Sequence, residues 1–171
     1  YDDYADNKIE EYVSGDIGPL LMLRRSFLTP RAPDNEWLRN NLFHSTCTIG
    51  GKVFTFIIDA GSCENVIYEV AATKLSLSTE PHPKPYRLSW LSQGTDVTVS
   101  KRVLVNLSIG PTYRDAIYCD VVPMDACHLL LGRSWQYDNS VQHDGRTITY
   151  SLLFRGTKII LIPSKPNLEI G

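Results

Sequence analysis

The sequence predicts an all-β fold, a closed barrel of short strands with one or two short helices. Three observations lead there. From Leu42 onward, runs of about four to eight residues rich in β-branched and aromatic side chains alternate with Gly, Pro, Asn and Asp clusters. Gly50-Gly51 separates two such runs, the signal of a tight hairpin. Tyr86, Leu88 and Trp90 then alternate along one segment and Val97 and Val99 along the next, with a turn at Ser92-Gln93-Gly94 between them. No repeat at a solenoid period competes with this pattern.

Taken in order, residues 1 to about 35 are acidic and then punctuated by Gly and Pro, "SGDIGPLLMLRRSFLTPRAP", which reads as a linker with an apolar piece able to dock on the domain. "PDNEWLRNNLF" offers Asp34 or Asn35 as a cap and Trp37, Leu38 and Leu42 at helical spacing, so a short helix is expected there. "FHSTCTIGGKVFTFIID" is the Gly-Gly hairpin. "NVIYEVAATKLSLS" places Val66, Val70, Ala71 and Leu75 near helical spacing, although it begins β-branched. The hairpin with its tip near Gly94 follows, then short strands in "AIYCDVVPM" and "HLLLG", a helical turn in "RSWQYDN", and final strands "TITYSLLF" and "KIILIP" bounded by the turns "HDGR" and "FRGTK". About eight strands result, in one domain.

Composition bounds the function. With 171 residues, 43% hydrophobic and 21% charged, the chain can bury one core and carry one appended segment. The net charge of -2 is uneven: residues 1–17 hold six acids against Lys8, leaving 16 basic and 13 acidic residues beyond them. That balance has no basic footprint for nucleic acid and no signature of a membrane surface. The chain starts at Tyr1, and no stretch reads as a signal peptide or an apolar span, so a piece of a longer polypeptide is expected. Four irregularly spaced cysteines do not make a disulfide framework, and a reducing, cytoplasmic compartment is the expectation.

The chemistry centres on "FTFIIDAGSCENV", residues 54–66. Ile57 and Ile58 run into Asp59, and the strand breaks through Ala60, Gly61 and Ser62. An Asp there either caps its own turn or is a functional acid held at a strand end. A second apolar-apolar-Gly element, Leu130-Leu131-Gly132 followed by Arg133, favours the functional acid, since a Gly-tipped hairpin lies between the two.

This order of elements resembles the retropepsins, the aspartic proteases of retroviruses and retrotransposons, over roughly residues 42–163. More narrowly, "RRSFL", "IIDAGSCENV", "HPKPYRLSWL", "CDVVPMDACHLLLGRSWQYD" and "HDGRTITY" look like the protease segment of plant gypsy-type LTR retrotransposon polyproteins. The resemblance implies a retropepsin-like protease domain over 42–163, an acidic N-terminal extension over 1–41 and a tail over 164–171. It implies an aspartic endopeptidase that needs two carboxyls sharing a proton. Only Asp59 is suitably delivered, because Asp16-Ile17-Gly18 has no strand before it, so the partner would be Asp59 of a second copy.

Other roles follow from the same resemblance. Gly61 would allow close approach of two active-site loops, with Ser62 bonding the outer oxygen of Asp59. The hairpin from Tyr86 to Val99 would be a flap, with Trp90, Leu91, Gly94 and Leu131 contacting an extended polypeptide substrate, although Trp90 serves equally well as packing beneath the hairpin. Gly132 and Arg133 would support the site. The expected substrate is a Gag-Pol polyprotein, and neither cofactor nor metal is implied.

Two positions depart from the family. Ala60 stands where Thr or Ser normally reaches across the dimer, and Cys63 stands where an acid normally pairs with Arg133. A catalytically weak peptide-binding or dimerisation module is therefore the alternative. A zinc site from Cys119, Cys127 and His128 lacks the paired close spacings that zinc favours, and the four histidines accompany no nucleophile motif.

Overall fold

A computed structural model of the chain describes residues 9–18, 43–90, 95–123 and 129–164, with the side chains of residues 89, 90, 95 and 96 outside that description. The described residues form eleven strands and two short helices: β1 (Ile9–Val13), β2 (Phe43–Ile49), β3 (Lys52–Ile58), β4 (Val66–Tyr68), α1 (Glu69–Lys74), β5 (Glu80–Trp90), β6 (Thr95–Ile109), β7 (Tyr113–Val122), β8 (Leu129–Leu131), α2 (Arg133–Asp138), β9 (Gln142–Asp144), β10 (Thr149–Phe154) and β11 (Thr157–Leu161).

The Gly-Gly hairpin forms as its residues dictate. Gly50 and Gly51 both have positive φ, +59° and +80°, as a twist-matched two-residue turn requires. The register runs from Phe43↔Ile58 to Ile49↔Lys52. β2 buries every second residue, whereas β3 is buried on both faces and is paired along both edges, by β2 and β8.

Six strands close a barrel in the order β2-β3-β8-β4-β7-β6, with Thr48↔Ser108 and Ile49↔Leu107 sealing β6 to β2. β3 and β8 pair in parallel, Phe56↔Leu129 to Ile58↔Leu131. Parallel strands end on the same side of a sheet. Asp59 and Gly132, the next residues of the two strands, therefore emerge together. β5 lies outside the ring as an edge strand on β6, with a register slip between Pro81 and Tyr86. Pro81, Pro83 and Pro85 are tolerated there because an edge strand need not donate on its free side.

Two apolar clusters hold the fold. The barrel interior is built around Phe43, Phe54, Phe56, Ile67, Leu129 and Trp135, and burial of such side chains is worth about 1.5–3 kcal/mol each. Val66, Tyr68, Val99 and Val122 form a second cluster with Tyr86, Leu88, Val97 and Leu130 packed against it. Since Ile67 belongs to the first cluster and its neighbours to the second, the second lies on the opposite face of β4, beneath the β5–β6 hairpin.

A second sheet, β1-β11-β10-β9, packs beside the barrel. Ile9–Val13, within the segment read as an extension, pairs in parallel with β11 from Ile9↔Thr157 to Val13↔Leu161. Val66–Tyr68 is a strand where the spacing predicts helix. Val66 and Ile67 find partners in β7 and β8 at once, and helix α1 starts only at Glu69. The helix expected in "PDNEWLRNNLF" lies outside the described residues, as does the turn at Ser92-Gln93-Gly94. No helix among the described residues is long and apolar enough to cross a membrane.

Candidate active site

Asp59 leaves β3 half-buried, and its loop folds back on itself. The Asp59 N–H donates to the Leu131 carbonyl oxygen at 3.0 Å, and the Ser62 N–H donates to the Asp59 carbonyl oxygen at 3.1 Å. The Gly61 N–H donates to Asp59 Oδ1 at 2.8 Å, which fixes the carboxyl rotamer and leaves Oδ2 without a bond from the described residues. A side chain at Gly61 would place its Cβ 3.1 Å from that same Oδ1. Gly61 thus keeps the carboxylate unobstructed. Ala60 is exposed beside it.

Beneath this loop runs the Leu130-Leu131-Gly132 element. The Arg133 N–H donates to the Ser62 carbonyl oxygen at 2.8 Å and the Ser134 N–H to the Cys63 carbonyl oxygen at 3.1 Å. Gly132 has no room for anything else: a Cβ would sit 2.4 Å from the Glu64 carbonyl oxygen and 2.7 Å from that of Ser62. Its role as structural support is a matter of backbone crossing backbone.

Two expected side-chain roles come out differently. The Ser62 hydroxyl donates to the Glu64 carbonyl oxygen at 2.8 Å, so its donated bond closes the loop and does not go to Asp59. Arg133 supports the loop as expected, its Nη2 donating to Cys63 Sγ at 2.9 Å. Leu131, expected at the substrate, is fully buried in the barrel interior. Alternation along β8 turns Leu129 and Leu131 inward and leaves the half-buried Leu130 facing the hairpin cluster. Trp90 is paired with Thr95 through the backbone; its side chain, Leu91 and Gly94 lie outside the described residues.

Contrary to the sequence reading, a strand, β1, does precede Asp16, but Ser14 and Gly15 separate them and the Asp16 carboxyl is held structurally. Its Oδ2 accepts from Thr48 Oγ1 at 2.5 Å and its Oδ1 from the Gly110 N–H at 2.7 Å, which fastens the N-terminal segment to the barrel. Tyr150 lies within electrostatic reach of Asp59. Burial, and secondarily the Asp59 charge, hold its phenol pKa above the ordinary tyrosine value. Phe43 meets the Tyr150 ring edge-on at 5.3 Å and His143 stacks on it at 4.2 Å. As for zinc, burial pushes the Cys119 thiol well above its ordinary pKa, opposing the thiolate a metal needs. Cys127 and His128 lie outside the described residues.

Two residues that carry the site were not singled out from the sequence. Asn65 is 5% exposed and spans β7, the Gly132 turn and α2. Asp120, 8% exposed, anchors the base of the hairpin. Tyr86 Oη donates to Asp120 Oδ2 at 2.5 Å, and His82 Nε2 lies 3.0 Å from Asp120 Oδ1. The Lys84 N–H donates to His82 Nδ1 at 2.9 Å, which makes Nε2 the protonated nitrogen. The signal for Asp120 was present: an acid inside the apolar run "YCDVV" must find partners when buried.

Tyr86→Phe leaves Asp120 Oδ2 without that donor. It is expected to cost about 1–2 kcal/mol, at the low end for a bond to a charged group because Tyr86 is only half-buried. Urea denaturation of the two proteins measures it.

The chain matches the sequence profile of the family described as Aspartyl protease over residues 45–135. Among solved structures, it is similar to the retroviral protease-like domain of Ddi1 from Leishmania major, with a TM-score of 0.53 and 12% identity over 75% of this chain and 97% of that one. It is also similar to a retropepsin-like aspartic protease from Rickettsia conorii, with a TM-score of 0.46 and 18% identity over 63% of this chain and 80% of that one. No curated protein matches it by sequence. The fold is that of the retropepsin-like proteins, a mostly β closed barrel with two short helices among the described residues. The match over residues 45–135 takes in more than half of the chain, including both Asp59 and the Gly132 turn, and on that match the chain belongs to the aspartyl protease family.

Proposed function

We propose that the protein is an aspartic endopeptidase that works as a homodimer, with one Asp59 from each copy. The observation that carries this reading is the Asp59 carboxyl itself, oriented by the Gly61 N–H through Oδ1 and open at Oδ2, at the junction of β3 and the Gly132 turn. One such Asp per chain supports the need for a second copy. In the reaction one carboxylate takes a proton from water as its oxygen attacks the scissile carbonyl carbon, while the partner carboxylic acid donates its proton to the carbonyl oxygen. Return of a proton to the amide nitrogen then releases amine and acid. Substrate would lie extended between the β5–β6 hairpin and Asp59, with apolar side chains against the half-buried Leu88, Val97 and Leu130.

The motifs shared with plant gypsy-type polyproteins support a Gag-Pol polyprotein as substrate, cleaved in the cytoplasm or within a virus-like particle. Free thiols at Cys47, Cys63 and Cys119 accord with a reducing compartment. The test is cleavage of junction peptides from the parent polyprotein, with inhibition by a statine-type transition-state isostere and sedimentation to read the dimer. A dimer that binds the isostere and cleaves nothing would favour the alternative, a peptide-binding or dimerisation module. The absence of a hydroxyl at Ala60 is what favours that second reading.

Ala60→Ser or Ala60→Thr is expected to strengthen the dimer. Two symmetric hydrogen bonds of about 0.5–1.5 kcal/mol each correspond to roughly 10- to 100-fold tighter association. Specific activity should rise most on dilution and converge with the parent at high enzyme concentration. Unchanged dissociation by sedimentation would mean that Ala60 does not face the twofold axis.

A further inference from the structure

We propose that Asn65 is a positioning residue for the Asp59 carboxyl, acting by clamping the Gly132 turn against the loop that carries it; the inference rests on the protease reading above. Asn65 Oδ1 accepts two backbone N–H groups, Gly132 at 3.0 Å and Trp135 at 3.3 Å. Its Nδ2 donates to the Tyr118 carbonyl oxygen at 3.3 Å, and its own carbonyl oxygen accepts from the Asp120 N–H at 2.9 Å. One buried amide thus joins the active-site loop to β7, to the turn and to the first turn of α2.

The path to Asp59 is short. Asn65 holds the Gly132 N–H, and the carbonyl of the preceding Leu131 receives the Asp59 N–H at 3.0 Å. Gly132 is also wedged against the Glu64 and Ser62 carbonyls, so the turn has one seat, and Asn65 defines it from the far side. Without Oδ1, the Gly132 and Trp135 amides would be buried without partners, and the turn would shift to recover them. The Asp59 amide is bonded to that turn and would move with it. A displacement on the order of 1 Å at a reacting group costs up to about 100-fold in rate. Asn suits the position because its side-chain amide offers, whatever the pH, both an acceptor for the two N–H groups and a donor for Tyr118.

The test compares Asn65→Ala and Asn65→Asp with the parent dimer. For Asn65→Ala, kcat is expected to fall about 10- to 100-fold with KM within about threefold, at a temperature where circular dichroism shows the variant folded. Asn65→Asp keeps the acceptor and, while protonated, the donor to Tyr118. Once ionised it turns a negative charge toward that carbonyl oxygen, next in sequence to Glu64 and close to Asp120, whose N–H the residue's own carbonyl receives and whose carboxyl faces His82. Its activity is therefore expected to approach the parent's at acidic pH and to fall earlier as pH rises, moving the alkaline limb of the profile downward.

Loss of stability alone would leave kcat per folded enzyme and the pH profile as in the parent, and that result overturns the proposal. If Asn65→Ala does not fold, the Asn65→Asp profile decides. If the parent cleaves no peptide, the protease reading fails separately, and the 13C carboxyl resonance of Asp59 then decides. It is expected to move in Asn65→Ala and to return in Asn65→Asp at low pH, and an unmoved resonance in both overturns the proposal.

Discussion

Asp59→Asn is expected to reduce peptide cleavage by about 10²- to 10⁴-fold, the contribution of positioned acid–base groups, while leaving the fold and the dimer in place. The amide has the size of the carboxyl. Its oxygen can still accept from the Gly61 N–H, and the bond from the Asp59 backbone to Leu131 does not involve the side chain. A stability change within about 0.5 kcal/mol is therefore expected. On the proposed reading, two carboxyls that share one proton would work only while the pair is singly ionised. Below the lower macroscopic pKa both are protonated and no base remains; above the upper one both are ionised and no acid remains. The rate should be bell-shaped and favour mildly acidic pH. Steady-state cleavage across pH, for parent and variant, measures both effects. An active, folded Asp59→Asn protein would assign the chemistry to another residue.

Gly132→Ala is expected to be the most damaging single-methyl change in the described residues around the site. The added Cβ would meet the Glu64 carbonyl oxygen at 2.4 Å and the Ser62 carbonyl oxygen at 2.7 Å. Both are backbone atoms of the active-site loop and cannot rotate away as a side chain would. Relief requires lifting the loop from the turn, which stretches the Arg133 N–H to Ser62 bond of 2.8 Å and the Asn65 contact to Gly132. Overpacking of this kind costs about 1–3 kcal/mol, and the strained hydrogen bonds bring the expected loss to about 3 kcal/mol or more. Urea denaturation reads it directly. A variant as stable as the parent to within about 0.5 kcal/mol would mean that loop and turn are not packed as described.

How much of this was legible in the sequence varies with the kind of signal. The Gly50-Gly51 hairpin, the strand ending at Asp59 and the final pair of strands were readable because turn chemistry and side-chain alternation are local. Closure of the barrel and the parallel pairing of β3 with β8 depend on contacts across much of the chain, and no local pattern encodes them. Val66–Tyr68 read as the start of a helix because a three-residue strand has too few positions to establish a period of two. Strand β1 was hidden in an acidic segment where only Val13 is buried. At the site, Asp59, Gly61 and Gly132 announced themselves by residue type. Leu131 was assigned to the substrate because the motif does not reveal which leucine of β8 faces inward. Asn65 escaped notice because its importance lies in which backbone groups it meets, and those come from Tyr118, Gly132 and Trp135.

The central claim is that two copies of Asp59 form one catalytic pair. The measurement that tests it most directly is an experimental structure of the protein in its solution oligomer with a statine-type isostere bound, from which the distance between the two Asp59 carboxyls is read. The account predicts a twofold dimer with the nearest carboxyl oxygens at hydrogen-bonding distance, about 2.5–3.2 Å apart, on either side of the isostere hydroxyl. A catalytically active monomer, or a dimer whose Asp59 carboxyls are more than about 6 Å apart and so beyond the range of a shared proton, would contradict it.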